Sequence, residues 1–288
     1  MTIKNPVEWG WAQLRHTAHA IGSVGDALHH VQETIHSPAP TIRKISISDV
    51  GGALAQGWRD FGACRADVIA VCVIYPVVGL IVARLAFGTD LLPLLFPVAS
   101  GFALLGPIAA VGLYEMSRQR EQRKPVTWRT AFDVVKAPAF GAIAVLGLLL
   151  AAIFMAWLLT AWIIYAATLG PQPPASASAF VHDLFYTQAG WVLVGAGVGA
   201  GFLFAVLAMS ISVVSFPLLL DRDVGLDTAI TTSVRAVRRN IIPMAVWGFV
   251  VAGVLLLGSL PAFIGLVVAI PVLGHATWHL YRRMVARP

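Results

Sequence analysis

Apolar residues in this chain come in blocks of about twenty, the length at which a helix rising 1.5 Å per residue crosses a hydrocarbon core of roughly 30 Å. Six such blocks can be drawn, at about residues 68–87, 91–114, 139–169, 191–220, 241–260 and 262–281. A bilayer interior offers no hydrogen-bond partners, so each block must satisfy its own backbone, and at this length a helix does so. Only 12% of the residues are charged and 58% are hydrophobic, against about 25% charged in an ordinary soluble domain. The expected fold class is all-α: a polytopic membrane protein whose six transmembrane helices fill a domain over residues 46–285.

The basic residues orient this arrangement. Of the 20 Lys and Arg, all but Arg84 lie before the first block, after the second, after the fourth or after the sixth. The intervening connections carry none. The positive-inside rule places the charged side in the cytoplasm, so both termini are expected there, in a bacterial inner membrane crossed an even number of times. Arg84, near the outer end of the first block, is a candidate outer-interface contact for an anion or a lipid headgroup. It reads more simply as a snorkelling side chain beside Asp90. The net charge of +6 is better explained by anionic lipid beside the blocks than by nucleic acid, which is not expected as a partner.

Three times a short amphipathic segment precedes a pair of blocks, at residues 49–63, 127–136 and 225–240. The six spans thus read as three hairpins, each introduced by a cytoplasmic interfacial helix lying apolar face inward in the headgroup plane. In the first segment Ile47, Val50, Leu54, Trp58 and Phe61 share a face, with Ser48 or Asp49 as the cap. In the third, Leu226, Ile230, Val234 and Val237 do. Residues 1–45 form a cytoplasmic, amphipathic tail that holds five of the eight histidines. His16, His19, Asp26 and His30 lie on one polar helical face. They are a candidate metal site, although a solvated, titratable surface is the simpler reading. Cys64 and Cys72 are about 12 Å apart along a helix, too far for a disulfide.

Gly195, Gly197, Gly199 and Gly201 make two overlapping small-xxx-small pairs, which allow close helix packing. Packing within the chain is the expected use, ahead of oligomerisation. His275 and His279, four residues apart beside Trp278 and Tyr281, either share a ligand or anchor the inner interface. The 170–190 connection should carry a short helix resting on the outer surface. No Walker loop, nucleophile elbow or dinucleotide fingerprint occurs, and no cofactor is expected. Apart from Arg84, the block interiors hold no Asp, Glu, Lys or Arg, which argues against ion-coupled transport.

Three stretches carry a family resemblance: Asp49, Ala53, Gly57, Trp58 and Asp60 in the first amphipathic segment, Gly106-Pro107, and Ser215-Phe216-Pro217-Leu218-Leu219-Leu220-Asp221. On these the chain resembles, over about residues 40–285, a family of uncharacterised prokaryotic integral membrane proteins, a domain of unknown function. Some of its members are labelled as cytochrome c oxidase subunits. The resemblance implies a membrane location and, at most, a place beside a respiratory complex. A catalytic haem–copper subunit needs more intramembrane histidines than this chain has. The sequence therefore points to a non-enzymatic accessory, scaffold or assembly factor for another membrane complex. The alternative is a channel or transporter for a small neutral or lipid-like solute.

Overall fold

A computed structural model of the chain describes residues 40–64, 68–69, 72–88 and 92–287. The tail metal candidates His16, His19, Asp26 and His30 lie outside the described residues, as does Asp90, the proposed companion of Arg84. Arg84 itself is exposed.

The described chain is all-α. Helix α1 (Ile47–Ala63) is followed by α2 (Ile74–Gly88), a run of short helical pieces, and α3 (Val111–Glu121). A 3-10 segment, Trp128–Lys136, leads into the long α4 (Phe140–Thr168), the short α5 (Ala177–Tyr186) and α6 (Gln188–Ser212). Then come α7 (Ser215–Asp221), α8 (Leu226–Arg239), α9 (Ile241–Ser259) and α10 (Leu266–Met284). The β-type pairing among the described residues is a single antiparallel bridge, Ile42 with Val285.

Among the described residues, three helical stretches are long and apolar enough to cross a membrane: Phe140–Thr168, Gln188–Asp221 and Ile241–Ser259. This is fewer than the six expected. Of the other three blocks, the first is described only in part, and the second and sixth depart for a physical reason. In the first, the continuous described helix is Ile74–Gly88, 15 residues, or about 22 Å at 1.5 Å per residue; residues 68–69 and 72 are also helical, and 70–71 lie outside the described residues. The second is broken into Leu95–Ala99, Gly101–Leu104 and Gly106–Ala109, because Pro97 and Pro107 each remove a helical hydrogen bond. Loose ends are tied laterally: Trp157 Nε1 donates to Ser100 Oγ at 2.8 Å, and Ser100 in turn to the Pro97 carbonyl at 2.6 Å. The sixth, α10, has an apolar first half, but His275, Thr277, His279, Arg282 and Arg283 fill the second.

Helix α10 is instead the buried axis of the molecule. It packs against α1, α2, α3, α7 and α9. Trp278, Leu280, Tyr281 and Met284 are fully buried. The neighbouring α1 differs from expectation. Its buried stripe is Val50, Ala53, Gly57, Asp60 and Phe61, and that stripe rests on α10 rather than facing lipid. Ile47 and Trp58, two of its expected apolar-face residues, are exposed. Ser46 is its cap, with its N–H donating to Asp49 Oδ2 at 2.8 Å. Likewise α8 buries the small residues Ala229, Thr232, Ser233 and Ala236 with Val237, packing on α6 and α7. Ser233 Oγ accepts the Val214 N–H at 3.2 Å, where the chain turns between α6 and α7. The 3-10 segment keeps the expected amphipathic character, with Trp128, Phe132 and Val135 exposed.

Helices α4 and α6 pack side by side, and α5 lies against α6. The expected short helix in the 170–190 connection is present, capped by Ser176. Of the glycine stripe, Gly201 faces Trp157, whereas nothing lies within 4 Å of a Cβ placed at Gly195, Gly197 or Gly199. No disulfide joins Cys64 and Cys72.

The contact between α1 and α10 is made backbone to backbone. A Cβ at Gly57 would sit 2.6 Å from both the Val272 carbonyl oxygen and the Ala276 nitrogen. Neither can give way as a side chain could. Gly57→Ala should therefore destabilise the fold by about 1–3 kcal/mol through overpacking, read as a lower thermal unfolding midpoint in detergent. Gly62→Ala, on the open side of the same helix, should leave the midpoint unchanged or raise it slightly.

Candidate functional site

The charged and polar residues that the apolar blocks leave over gather at one end of α10. Two connected clusters form there.

The first joins α1, α3 and α10. Asp60 projects from the small-residue stripe of α1, one helical turn beyond Gly57. Its Oδ2 accepts from Ser117 Oγ at 2.7 Å and from His279 Nε2 at 2.8 Å. Its Oδ1 lies 3.4 Å from Arg120 Nε. Ser117 Oγ is also 2.8 Å from His275 Nδ1. A hydroxyl has one proton, and a carboxylate can only accept. Ser117 must therefore donate to Asp60 and accept from the Nδ1–H of His275. The Nε2 of that ring is buried without a hydrogen bond. Serine, histidine and aspartate thus stand together, but not as a nucleophilic triad. In a triad the imidazole draws the proton from the hydroxyl. Here that proton is held by the carboxylate, and Ser117 is buried.

The second cluster joins α3, α7 and α10. Asp221, which ends α7, accepts from Tyr281 OH at 2.6 Å and from an Arg282 terminal nitrogen at 2.7 Å. Glu121, which ends α3, accepts from Arg282 Nε at 2.9 Å and Trp278 Nε1 at 3.1 Å. Arg287 pairs with its other oxygen at 2.5 Å. Arg282 is thus a two-way bridge, its fork divided between two carboxylates, and it also lies over the Trp278 ring at 4.9 Å.

A backbone clip adjoins both clusters. Arg43 N–H donates to the Met284 carbonyl at 2.7 Å and Ala286 N–H to the Thr41 carbonyl at 3.0 Å. Asn240, between α8 and α9, accepts from Ile45 N–H at 2.8 Å and donates to the Arg43 carbonyl at 3.1 Å.

Burial alone would raise the pKa of Asp60. The hydrogen bonds from His279 and Ser117, and the nearby imidazoles, outweigh it and hold the carboxyl below its ordinary value. Glu121 follows the same logic: burial opposes ionisation, and Arg282 more than offsets it. Both groups therefore hold the fold together as carboxylates.

Of the residues singled out in the sequence, His275 and His279 do converge, but on Asp60 and Ser117 rather than on a shared ligand. No group of three or more His, Cys, Asp or Glu suited to a metal ion occurs among the described residues. Asp60, Ser117, Glu121 and Asp221 were not among the candidates. One signal was available for Asp60: it falls four and three residues along the face that carries Ala53 and Gly57. A carboxylate on a close-packing face must meet a partner on the opposing helix.

Two of the three stretches that carried the family resemblance end in this layer, one at Asp60 and one at Asp221. The third, Gly106-Pro107, opens one of the short helical pieces before α3.

Asp60→Ala should cost about 3 kcal/mol or more, because it strands His279 and Ser117 without their acceptor. The pH dependence has a definite sign. A carboxyl whose folded pKa is depressed contributes fully above its ordinary value of 3.8, and that contribution is lost as pH falls through the folded value. Thermal midpoints followed from neutral into acid solution should drop for the native chain. The acid-dependent part should shrink in Asp60→Asn.

No curated protein and no solved structure matches the chain. Residues 95–221, which run from the broken segment through α3, α4 and α6 to the carboxylate that closes α7, match the family model described as "Predicted integral membrane protein (DUF2189)", a family of unknown function.

Proposed function

We propose that this protein is a non-enzymatic accessory, scaffold or assembly factor for another integral membrane complex in a bacterial inner membrane, with both termini in the cytoplasm. The observation that carries the reading is the closure of the polar layer. Asp60 is engaged by Ser117 and His279, and Glu121 and Asp221 by Arg282 and Tyr281, which suits a rigid frame more than a turnover site.

The same layer supports the topology. The chain leaves it after Asp60 and is back at Ser117. It leaves after Lys136 and returns at Asp221, then leaves after Asn240 and returns at His275. Three excursions out and back give an even number of passes. In this reading the lipid-facing passes are α4, α6 and α9. The more polar α10 returns inside the protein, where neighbouring helices shield it. Windows of α4 and α9 are only 22% and 28% buried within the chain, so most of their surface is left for lipid or for a partner's helices. The near-total confinement of Lys and Arg to the side of this layer is the charge asymmetry expected of a cytoplasmic face. The exposed Trp128, Phe132 and Val135 of the 3-10 segment give that face an apolar edge.

Solubilisation in mild detergent at native expression level, followed by identification of co-eluting proteins, tests this. A defined set of integral membrane subunits should accompany the protein, and Phe132→Glu should release them without lowering the protein's own thermal midpoint. A protein that elutes alone under those conditions is not an accessory subunit.

A further inference from the structure

Two adjoining clefts open beside the polar end of α10. One, of about 380 Å³, is lined by Gln56, Glu121, His279, Arg282, Arg283 and Arg287. The other, of about 420 Å³, shares Glu121, Arg282 and Arg287 and adds Gln122, Asp221 and Arg222. Their combined walls hold four guanidinium groups against two carboxylates, an excess of two positive charges.

The four arginines are not equivalent. Arg282 is committed to Glu121 and Asp221 and is part of the frame. Arg283 is placed rather than consumed. Its terminal nitrogen lies 2.8 Å from where a Cβ of Gly52 would be, so the guanidinium rests against the α1 backbone only because that position is glycine. Its Nε is 3.6 Å from Asp49, an ion pair at long range. Arg287 touches Glu121 through one nitrogen and is otherwise open, its side chain 72% exposed. Arg222 donates a terminal nitrogen to the Ala286 carbonyl, while its Nε is buried without a hydrogen bond, 3.9 Å from Asp221. The clefts are thus rimmed by planar forks with donors to offer. Two glutamine amides stand nearby, and the charge excess is enough for the single charge of a phosphodiester headgroup or the two of a free phosphate dianion. Guanidinium forks match the spacing of phosphate oxygens.

We infer that this double cleft binds a phosphate group, carried by an anionic lipid headgroup or by a small water-soluble phosphate. The inference does not rest on the accessory role, and it stands or falls separately.

The full chain in neutral detergent is the test material. The variants are Arg283→Gln with Arg287→Gln, and a charge-matched control, Arg238→Gln with Arg239→Gln, at the exposed end of α8. One arm measures retention of phosphatidylglycerol over phosphatidylcholine from mixed nanodiscs by native mass spectrometry. The other follows the thermal midpoint with added inorganic phosphate. A guanidinium hydrogen bond to phosphate inside the cleft is worth about tenfold in affinity, beyond the general attraction that any juxtamembrane cation supplies. The cleft double variant should therefore lose at least that factor in phosphatidylglycerol retention, and the control should not. If phosphate raises the midpoint of the native chain and the control but not of the cleft variant, the ligand is a soluble phosphate. Equal losses in the cleft variant and the control, or no difference between native and cleft variant in either arm, overturn the inference. Gly52→Ala keeps every charge and displaces only Arg283. If the double variant does not fold, this variant decides alone: it must weaken binding in one arm, and full retention in both removes the site.

Discussion

Ionised groups withdrawn from water are expensive unless each is met by a partner at close range, and this molecule places three of them around one helix end. Asp60, Glu121 and Asp221 arrive from α1, α3 and α7. Within five residues α10 supplies Trp278, His279, Tyr281 and Arg282 to receive them. The match fixes rotation and height together. A turn of α10 about its axis would take His279 from Asp60, and a slide would take Arg282 from one of its two carboxylates. The small-residue contact at Gly57 holds the same register from the apolar side. Lipid-facing packing alone is a poor determinant of register, because hydrocarbon surrounds every rotation equally well. The polar layer supplies the specificity that the bilayer does not.

That division of labour accounts for the two kinds of helix. Stretches such as α4 and α9 are apolar on all sides and are largely uncovered by the rest of the chain. Helix α10 is covered on nearly every side and can carry histidine, threonine and arginine. The proline-broken pieces before α3 are tolerable for the same reason. Their freed backbone groups lie near side chains such as Ser100 and Tyr75, whose hydroxyl donates to the Ala109 carbonyl at 3.1 Å.

The sequence revealed the helices that face outward far better than the ones that face each other. Uniform apolar runs such as 140–168 and 241–259 declare themselves through length and composition. Two of the remaining blocks have a similar average but mean something else: Pro97 and Pro107 interrupt one, and the polar half of α10 makes the other an internal strut. Amphipathic periodicity in α1 and α8 was legible. What each stripe met was not, because alanine, glycine and serine positions that pack on protein resemble positions that merely face lipid. The site was the least visible part. His275 and His279 stood out by spacing, but their partners are 158 to 219 residues away in sequence, a distance that local patterns do not span.

The pairing of residues 41–43 with 284–286 sets an order of events during synthesis. The strand-like approach to α1 has no complete set of partners until residue 286 has left the ribosome. Helices α4, α6 and α9 can enter the bilayer one after another, but the ring of contacts that locks them closes only then. A chain cut before residue 284 would carry its apolar helices and lack the clasp.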